Sequence, residues 1–225
     1  MIFAIIGSFM ALTTTLSAFS FFPTTNKDLP SPEALKYALN AYRWAIDHGE
    51  AVNRSFLTIV DFTIGSNKKR LWVINLNNYR VLVHTYVSQG KGSGAGRYAT
   101  YFSNSPGSHA SSLGIFTTGD VYDGEHGRSL RINGLETGIN DNALNREIVM
   151  HPADYVTEDF IKIKGYAGRS WGCFAVDPDI ANHLIQMLKG GTVLFAYANP
   201  EKYDSRVNHS LSYQDTKIFQ RIMQS

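Results

Sequence analysis

The sequence predicts a mainly β fold of the β-rich α+β class. Seven segments are rich in β-branched and aromatic residues and have strand length, whereas two segments carry the apolar period of an amphipathic helix. Gly-, Ser- and Asn-rich segments of loop composition separate the strands. With 225 residues, 44% of them apolar and 18% charged, the chain is long and apolar enough to fold around a real core.

Charge and cysteine content exclude several classes of protein. The chain has 21 Lys and Arg against 19 Asp and Glu, a net charge of +2, which argues against a nucleic-acid partner bound through phosphate contacts. Cys173 is the only cysteine. An intramolecular disulfide and a cysteine-clustered zinc or iron–sulfur site are therefore impossible.

The first 20 residues have the composition of an export signal. No charged side chain precedes Lys27, and Ala18 and Ser20 are small residues at the −3 and −1 positions for cleavage after Ser20. We expect a cleaved signal peptide over residues 1–20 and a periplasmic or cell-envelope location. The stretch is also long enough to remain as a membrane anchor, so this alternative stays open. Residues 21–30 are predicted to be a linker.

Residues 31–200 are predicted to form a single domain that begins with a helix over 31–48. Ser31-Pro32-Glu33 combines an N-cap, a proline at the first helical position and an acidic first turn. The apolar side chains that follow share one helical face, and Gly49 is a suitable stop. A second helix is predicted from Asp177-Pro178 to Gly190-Gly191. Residues 201–225 form a polar tail.

The predicted strands occupy the middle and the end of this domain. Asn77-Asn78 is expected to form a two-residue hairpin turn, because Asn tolerates a positive φ. The strand segments are Phe56–Phe62, Leu71–Leu76, Tyr79–Val87, Leu113–Thr118, Ser129–Ile132, Glu147–Met150 and Val193–Tyr197.

The segment from Glu147 to Cys173 carries the candidate chemistry. A β-branched strand leads directly into His151, so a rigid element would hold this imidazole. Cys173 follows in a loop next to Gly172, and a glycine there lets backbone N–H groups approach a reacting carbonyl. An imidazole can accept the proton of a thiol, which makes His151 and Cys173 a candidate acyl-transfer pair. An inert buried cysteine and an unrelated structural histidine are the alternative.

His126 is a further candidate. It lies in Gly124-Glu125-His126-Gly127, a loop between predicted strands, where polar side chains commonly contact ligands. We predict a substrate-binding role for His126, with a surface role as the alternative.

The motif Ser170-Trp171-Gly172-Cys173 resembles the S-x-G-C signature of YkuD-type L,D-transpeptidases, in which a histidine precedes the motif at a comparable distance. The similarity covers roughly Phe56–Tyr197 and is closest to the murein L,D-transpeptidase catalytic-domain branch. It includes, upstream, Ser112-Leu113-Gly114, Thr118-Gly119, Gly124–Gly127, Ser129-Leu130-Arg131, Gly134-Leu135-Glu136, Asn140-Asp141-Asn142-Ala143 and Arg146.

The resemblance implies a YkuD-like β-sandwich with a few flanking helices, and it implies roles for the site residues. Cys173 would be the nucleophile and His151 the general base, which relatives often orient through a backbone carbonyl. The backbone amides of Gly172 and Cys173 would bind the oxyanion. Arg169, Ser170 and Trp171 would line the substrate cleft.

Three positions depart from the pattern of many relatives. Trp171 stands where they have a histidine, Pro152 follows the base where they have a glycine, and Ala175 replaces an arginine two positions after the cysteine. Arg169 could supply the missing guanidinium for a substrate carboxylate, because its fork suits bidentate contact. The departures leave the nucleophile and the base in place.

The implied reaction is acyl transfer on peptidoglycan stem peptides. Cys173 would attack the carbonyl of the third residue, at its L-centre, and a second stem amine would resolve the thioester into a 3→3 cross-link. The resemblance implies no metal or organic cofactor, and it implies carbapenem-type β-lactams as inhibitors. The alternatives are an L,D-carboxypeptidase, a peptidoglycan hydrolase or amidase on the same fold, and a non-catalytic cell-wall-binding module.

Overall fold

A computed structural model describes residues 29–225 of the chain. The predicted signal peptide or anchor at residues 1–20 and nearly all of the predicted linker lie outside the described residues and stay predictions. Among residues 29–225, none of the helices combines the length and the apolar character needed to span a membrane.

Residues 29–225 contain four α-helices and ten strands. The α-helices are α1 (Pro32–Asp47), α2 (Glu158–Lys164), α3 (Pro178–Leu188) and α4 (Tyr213–Met223). The first six strands are β1 (Phe56–Asp61), β2 (Leu71–Asn75), β3 (Arg80–Thr85), β4 (Gln89–Gly90), β5 (Gly114–Gly124) and β6 (Gly127–Gly134). The other four are β7 (Val149–Pro152), β8 (Arg169–Ser170), β9 (Phe174–Val176) and β10 (Val193–Tyr197).

Eight of these strands form one mixed sheet in the order β3-β2-β1-β10-β5-β6-β7-β9. The pairs β1–β10 and β7–β9 are parallel, and the other neighbouring pairs are antiparallel. Strands β4 and β8 form a separate parallel pair. The predicted β-rich α+β class is confirmed.

Both faces of the large sheet are covered, and alternation along the strands assigns each side chain to one face. Leu57 and Ile59 of β1 pack with the apolar sides of α1 and α4. On the other face, Val60 belongs to the core that α3 covers with Leu184 and Leu188. A third, smaller cluster of Val156, Ile161, Ala167 and Ala175 lies beside β9.

The predicted helices are confirmed at their starts by their caps. Ser31 Oγ accepts the N–H of Ala34 at the start of α1, and the side chain of Asp177 accepts the N–H of Asp179 at the start of α3. Proline occupies the first turn of both helices. The short elements β4, β8, β9 and α2 were not predicted, because segments of two to seven residues carry too little periodicity.

Two predicted details were wrong. The turn between β2 and β3 spans four residues, and its positive φ of 63° falls on Tyr79 rather than on an asparagine. Asn75 and Asn78 instead accept backbone N–H groups two residues ahead. The strand predicted to start at Glu147 starts at Val149, and Glu147 has a φ of 55° that breaks the extended conformation.

The predicted polar tail contains α4, which packs on α1. Arg43 of α1 forms an ion pair with Asp215 of α4 at 2.8 Å, and Asn40 donates to the carbonyl oxygens of Val207 and His209. The buried Asn40 and the half-buried Arg43 of α1 thus hold the segment that follows β10.

A buried group of carboxyls joins this C-terminal segment to the loop after β6. Glu136 accepts the N–H of Ile115 and lies 3.1 Å from the Nε of Arg206, which also pairs with Asp204 at 2.9 Å. Glu201 is buried beside them. Burial, and then the charges of Glu136 and Asp204, raise the pKa of Glu201 to about 8, while Arg206 acts in the opposite direction.

The raised pKa of Glu201 predicts a pH-dependent stability. A carboxyl whose pKa is higher in the folded state stabilises the fold when protonated, so the free energy of unfolding falls as the pH rises toward 8. Glu201→Gln keeps the shape without the charge, and we expect its Tm at pH 8 to exceed that of the wild type by about 2–4 °C. The gain should shrink toward pH 5 in a thermal scan monitored by circular dichroism. The exposed Glu50→Gln should show no gain, and an equal gain at both pH values would contradict the assignment.

Candidate active site

The parallel pairing of β7 with β9 brings the two candidate catalytic residues together. Met150 pairs with Phe174 and His151 pairs with Ala175. Met150 and Phe174 both point into the core under α3, so His151 lies on the opposite face. Continuing the register by one residue sets Cys173 level with Val149, on the same face as His151. Diagonal neighbours of this kind have Cα atoms roughly 7–8 Å apart, within reach of an imidazole and a thiol.

A backbone carbonyl orients the His151 ring. Nδ1 lies 2.8 Å from the carbonyl oxygen of Pro152, and a carbonyl can only accept, so Nδ1 carries the proton. Nε2 then keeps its lone pair and can act as a base. The predicted orienting carbonyl is therefore that of Pro152, the position where many relatives have a glycine.

His151 is almost fully buried, with 2% of its surface exposed. The ring of His126, from the turn between β5 and β6, stacks on it with 4.5 Å between ring centroids. Burial lowers the pKa of His151, the hydrogen bond to Pro152 acts to raise it, and the electrostatic interaction with His126 lowers it further. The net lowering favours the neutral imidazole.

The thiol of Cys173 is half-buried and faces the backbone around β7. Its Sγ lies 3.5 Å from the carbonyl oxygen of Glu147. Burial raises the pKa of the thiol, whereas N–H groups of Val149 and Cys173 and the guanidinium of Arg146 act to lower it. Cys173 is therefore a neutral thiol at pH 7. A neutral imidazole beside a neutral thiol suits general-base catalysis rather than a preformed ion pair.

Two hydroxyls fix the backbone of the cysteine. Ser170 Oγ donates to the Cys173 carbonyl oxygen at 2.7 Å, and Ser88 Oγ donates to the same oxygen at 3.3 Å. The N–H of Ser88 also donates to the Ala175 carbonyl oxygen, and the N–H of Ala175 donates to Ser88 Oγ. Ser170 is 5% exposed, and its predicted role in lining the substrate cleft stays a prediction.

The two backbone N–H groups predicted to bind the oxyanion, those of Gly172 and Cys173, differ in their hydrogen bonds. The N–H of Gly172 already donates to Ser170 Oγ at 3.2 Å, which competes with an oxyanion role. The N–H groups near the sulfur are those of Cys173 and Val149. The oxyanion role of the Gly172 and Cys173 amides stays a prediction, and Val149 is an additional candidate that sequence reasoning missed.

Arg146 supplies the guanidinium near the thiol. It donates to the carbonyl oxygens of Ser103 and Ala110 and to Ser112 Oγ, so its fork is held by the loop before β5. In the sequence analysis, Arg146 is only one of the positions that resemble the L,D-transpeptidase family. The buried Ala175 lies in the cluster beside β9, where an arginine side chain would displace Ala167 and Val156.

The other predicted lining residues are placed as follows. Arg169 is half-buried and donates to the carbonyl oxygen of Gly94 in the glycine-rich loop after β4. Trp171 is 68% exposed and stacks on His109 with 4.5 Å between ring centroids. Arg169, Trp171 and His126 keep their substrate-binding roles as predictions.

Tyr155 is a site neighbour that the sequence analysis did not identify. It lies in the 3-10 turn Asp154–Val156 after β7, and its ring packs where a Cβ on Gly168 would otherwise stand. Burial, together with the nearby Cys173, raises the pKa of Tyr155 to about 12, so its phenol stays protonated. Within residues 29–225 no group of three or more His, Cys, Asp or Glu side chains could hold a metal ion.

Comparison with known proteins agrees with the geometry at the family level. The sequence model of the YkuD_2 family, the L,D-transpeptidase catalytic domain, matches residues 26–197. The chain belongs to this family, which confirms the predicted resemblance. No curated protein sequence matches the chain.

Several solved structures are similar to the chain. An L,D-transpeptidase from Mycobacterium smegmatis shares 18% identity at a TM-score of 0.39, over 64% of this chain and 59% of that one. Bd1075 from Bdellovibrio bacteriovorus shares 16% identity at a TM-score of 0.43, over 77% and 57% of the two chains. The chain thus spans about three fifths of the length of these relatives.

Gly172 should be irreplaceable for steric reasons. Its φ is 117°, and a Cβ would lie 2.7 Å from the carbonyl oxygen of Ala110 and 2.8 Å from Ile148 Cδ1. We expect Gly172→Ala to lower the free energy of unfolding by about 1–3 kcal/mol, measured by urea denaturation. Gly96→Ala is the matched control, because a Cβ there meets nothing within 4 Å. Equal stability of the two variants would contradict the packing described.

The His126 stack predicts a shift in the pH profile of the thiol. Alkylation of Cys173 by iodoacetamide should lose the help of the base as the pH falls through the pKa of His151, which burial lowers. His126→Ala removes the electrostatic interaction that lowers this pKa and exposes the buried ring, and both changes raise it. The fall of the alkylation rate on the acid side of the pH profile should therefore move to higher pH, whereas His48→Ala at the end of α1 should leave it in place. An unchanged pH profile in His126→Ala would rule out the interaction between His126 and His151.

Proposed function

We propose that the chain is a cysteine-dependent L,D-transpeptidase acting on peptidoglycan stem peptides. One observation carries the proposal: a lone pair on His151 Nε2 and the Cys173 thiol lie on one face of two adjacent parallel strands. The family assignment supports the reaction class. The proposed place of action is the periplasm or cell envelope, where such stems occur.

Acylation begins with a proton transfer between neutral groups. His151 accepts the thiol proton as the Cys173 sulfur attacks the carbonyl carbon of the third stem residue. The negative charge on the carbonyl oxygen is stabilised by backbone N–H groups beside the sulfur. The amide C–N bond then breaks, His151 returns its proton to the leaving amine of the terminal D-amino acid, and a thioester remains.

Deacylation reverses these roles. The side-chain amine of a second stem attacks the thioester carbonyl and His151 takes the proton that the amine loses. The C–S bond breaks and the sulfur recovers its proton from His151. The product is a 3→3 cross-link, and no metal or organic cofactor takes part.

The same thiol would react with carbapenem-type β-lactams. The amide of a four-membered ring is a strained electrophile, and attack by Cys173 opens it to a covalent adduct. Among the similar structures, LdtMt1 was solved in complex with imipenem, at 15% identity and a TM-score of 0.39 over 64% of this chain and 59% of that one.

The products of a stem-peptide reaction test the proposal. A tetrapeptide donor and a second stem should yield 3→3 linked dimers and free D-amino acid, measured by mass spectrometry. Cys173→Ala should lose at least about a thousandfold in rate, because the nucleophile is gone. Cys173→Ser, which keeps size and polarity, should also be inactive if a thiol is required.

Other outcomes identify the alternatives. Shortened monomers without dimers would make the protein a carboxypeptidase or hydrolase. If the wild type is well folded but releases no D-amino acid, the non-catalytic cell-wall-binding module is the remaining alternative. Undiminished turnover by Cys173→Ala would exclude Cys173 as the nucleophile.

A further inference from the structure

The thiol of Cys173 has His151 on one side and Glu147 on the other. Val149 is level with the cysteine by extension of the β7–β9 register, and His151 lies two residues further along β7. Glu147 precedes β7, and its carbonyl oxygen lies 3.5 Å from the thiol sulfur. The His151 side carries the base and the stacked ring of His126. The Glu147 side opens into a separate cleft that the acylation chemistry does not use.

This cleft has a volume of about 210 Å³ and is open to solvent. The stacked rings of Trp171 and His109 form a flat wall, with an interplanar angle of 10°. The lining residues are Pro106, Gly107, His109, Asn145, Arg146, Glu147 and Trp171.

Glu147 brings a negative charge to the cleft. Its side chain is exposed, and among residues 29–225 no hydrogen bond or ion pair holds its carboxylate. The carboxylate is close enough to the thiol to raise the pKa of Cys173. The guanidinium of Arg146 forms no ion pair with it, because its terminal nitrogens donate to Ser103, Ser112 and Ala110.

The backbone at Glu147 is built to present this side chain. A φ of 55° is unfavourable for a residue with a Cβ, and such strain tends to persist at functional positions. Hydrogen bonds from the N–H of Glu147 to Leu144 and from that of Ile148 to Ala143 hold the turn. The same conformation aims the Glu147 carbonyl oxygen at the thiol.

We propose that this cleft is the docking site of the acyl acceptor and that it selects an acceptor carrying an ammonium group. The inference rests on the proposed function and specifies its second step. The Glu147 carboxylate attracts the cation, and the Trp171–His109 wall packs against the apolar part of the chain that carries it. Water has no such anchor, so the site favours transfer over hydrolysis.

The proton balance of the step is simple. The docked ammonium releases one proton to solvent and becomes a neutral amine. Its nitrogen attacks the thioester carbonyl, the C–N bond forms, and His151 accepts the second proton. The C–S bond then breaks and the sulfur takes that proton. Glu147 only binds and orients, and it is neither acid nor base in the reaction.

The proposal is tested by how the acyl-enzyme divides between transfer to an amine and hydrolysis by water. The full chain is given a tetrapeptide donor and a diamino acid amide as the cationic acceptor. Free D-amino acid reports acylation, and the ratio of transferred to hydrolysed tripeptide reports acceptor binding. Glu147→Gln keeps the shape and removes the charge, and we expect its KM for the acceptor to rise roughly three- to tenfold. Raising the salt concentration should lower the transfer ratio of the wild type but not that of Glu147→Gln.

The controls separate this proposal from the function on which it rests. Glu50→Gln, an exposed carboxylate outside the site, should match the wild type in every measurement. An unchanged transfer ratio in Glu147→Gln, with D-amino acid still released, would overturn the docking site and leave the transpeptidase proposal standing. A wild type that releases no D-amino acid would instead contradict the proposed function itself.

Discussion

The site depends on the parallel register between β7 and β9. A parallel pair sets paired residues on one face, so a shift by one residue would turn Cys173 into the α3 core and away from His151. β9 has only three residues, too few to fix this register alone. The hydrogen bonds of Ser88 and Ser170 to the Cys173 carbonyl supply the missing restraint. Gly172 permits the close approach of the Ala110 carbonyl oxygen to the same loop.

Burial sets the protonation of the pair as much as proximity does. It pushes the pKa of His151 down and that of Cys173 up, so both groups are neutral at the same pH. A neutral thiol resists chance oxidation, because the thiolate is the reactive form. Reactivity then appears only when a substrate carbonyl is present to receive the sulfur while His151 takes the proton. This arrangement suits the proposed location in the cell envelope.

Local sequence signals were sufficient for the long elements, since caps and apolar periods predicted α1 and α3. The glycine-flanked Cys173 and the strand before His151 indicated a candidate pair, and the family resemblance implied its roles, which stay predictions. The groups that support the candidate pair were not predictable, because they are backbone atoms and side chains distant in the sequence. The Pro152 carbonyl, the Val149 N–H and the Ser88 hydroxyl carry no sequence pattern. The sequence predicts a strand residue at Glu147, since a positive φ at a glutamate cannot be inferred from its neighbours.

The central claim is that His151 takes the proton of the Cys173 thiol. It is tested most directly by the second-order rate of Cys173 alkylation by iodoacetamide at pH 7, in the wild type and in His151→Ala. The account predicts a markedly slower reaction in the variant, because the raised pKa of the thiol leaves little thiolate without a base. Equal rates in two equally folded proteins would show that His151 does not activate the cysteine.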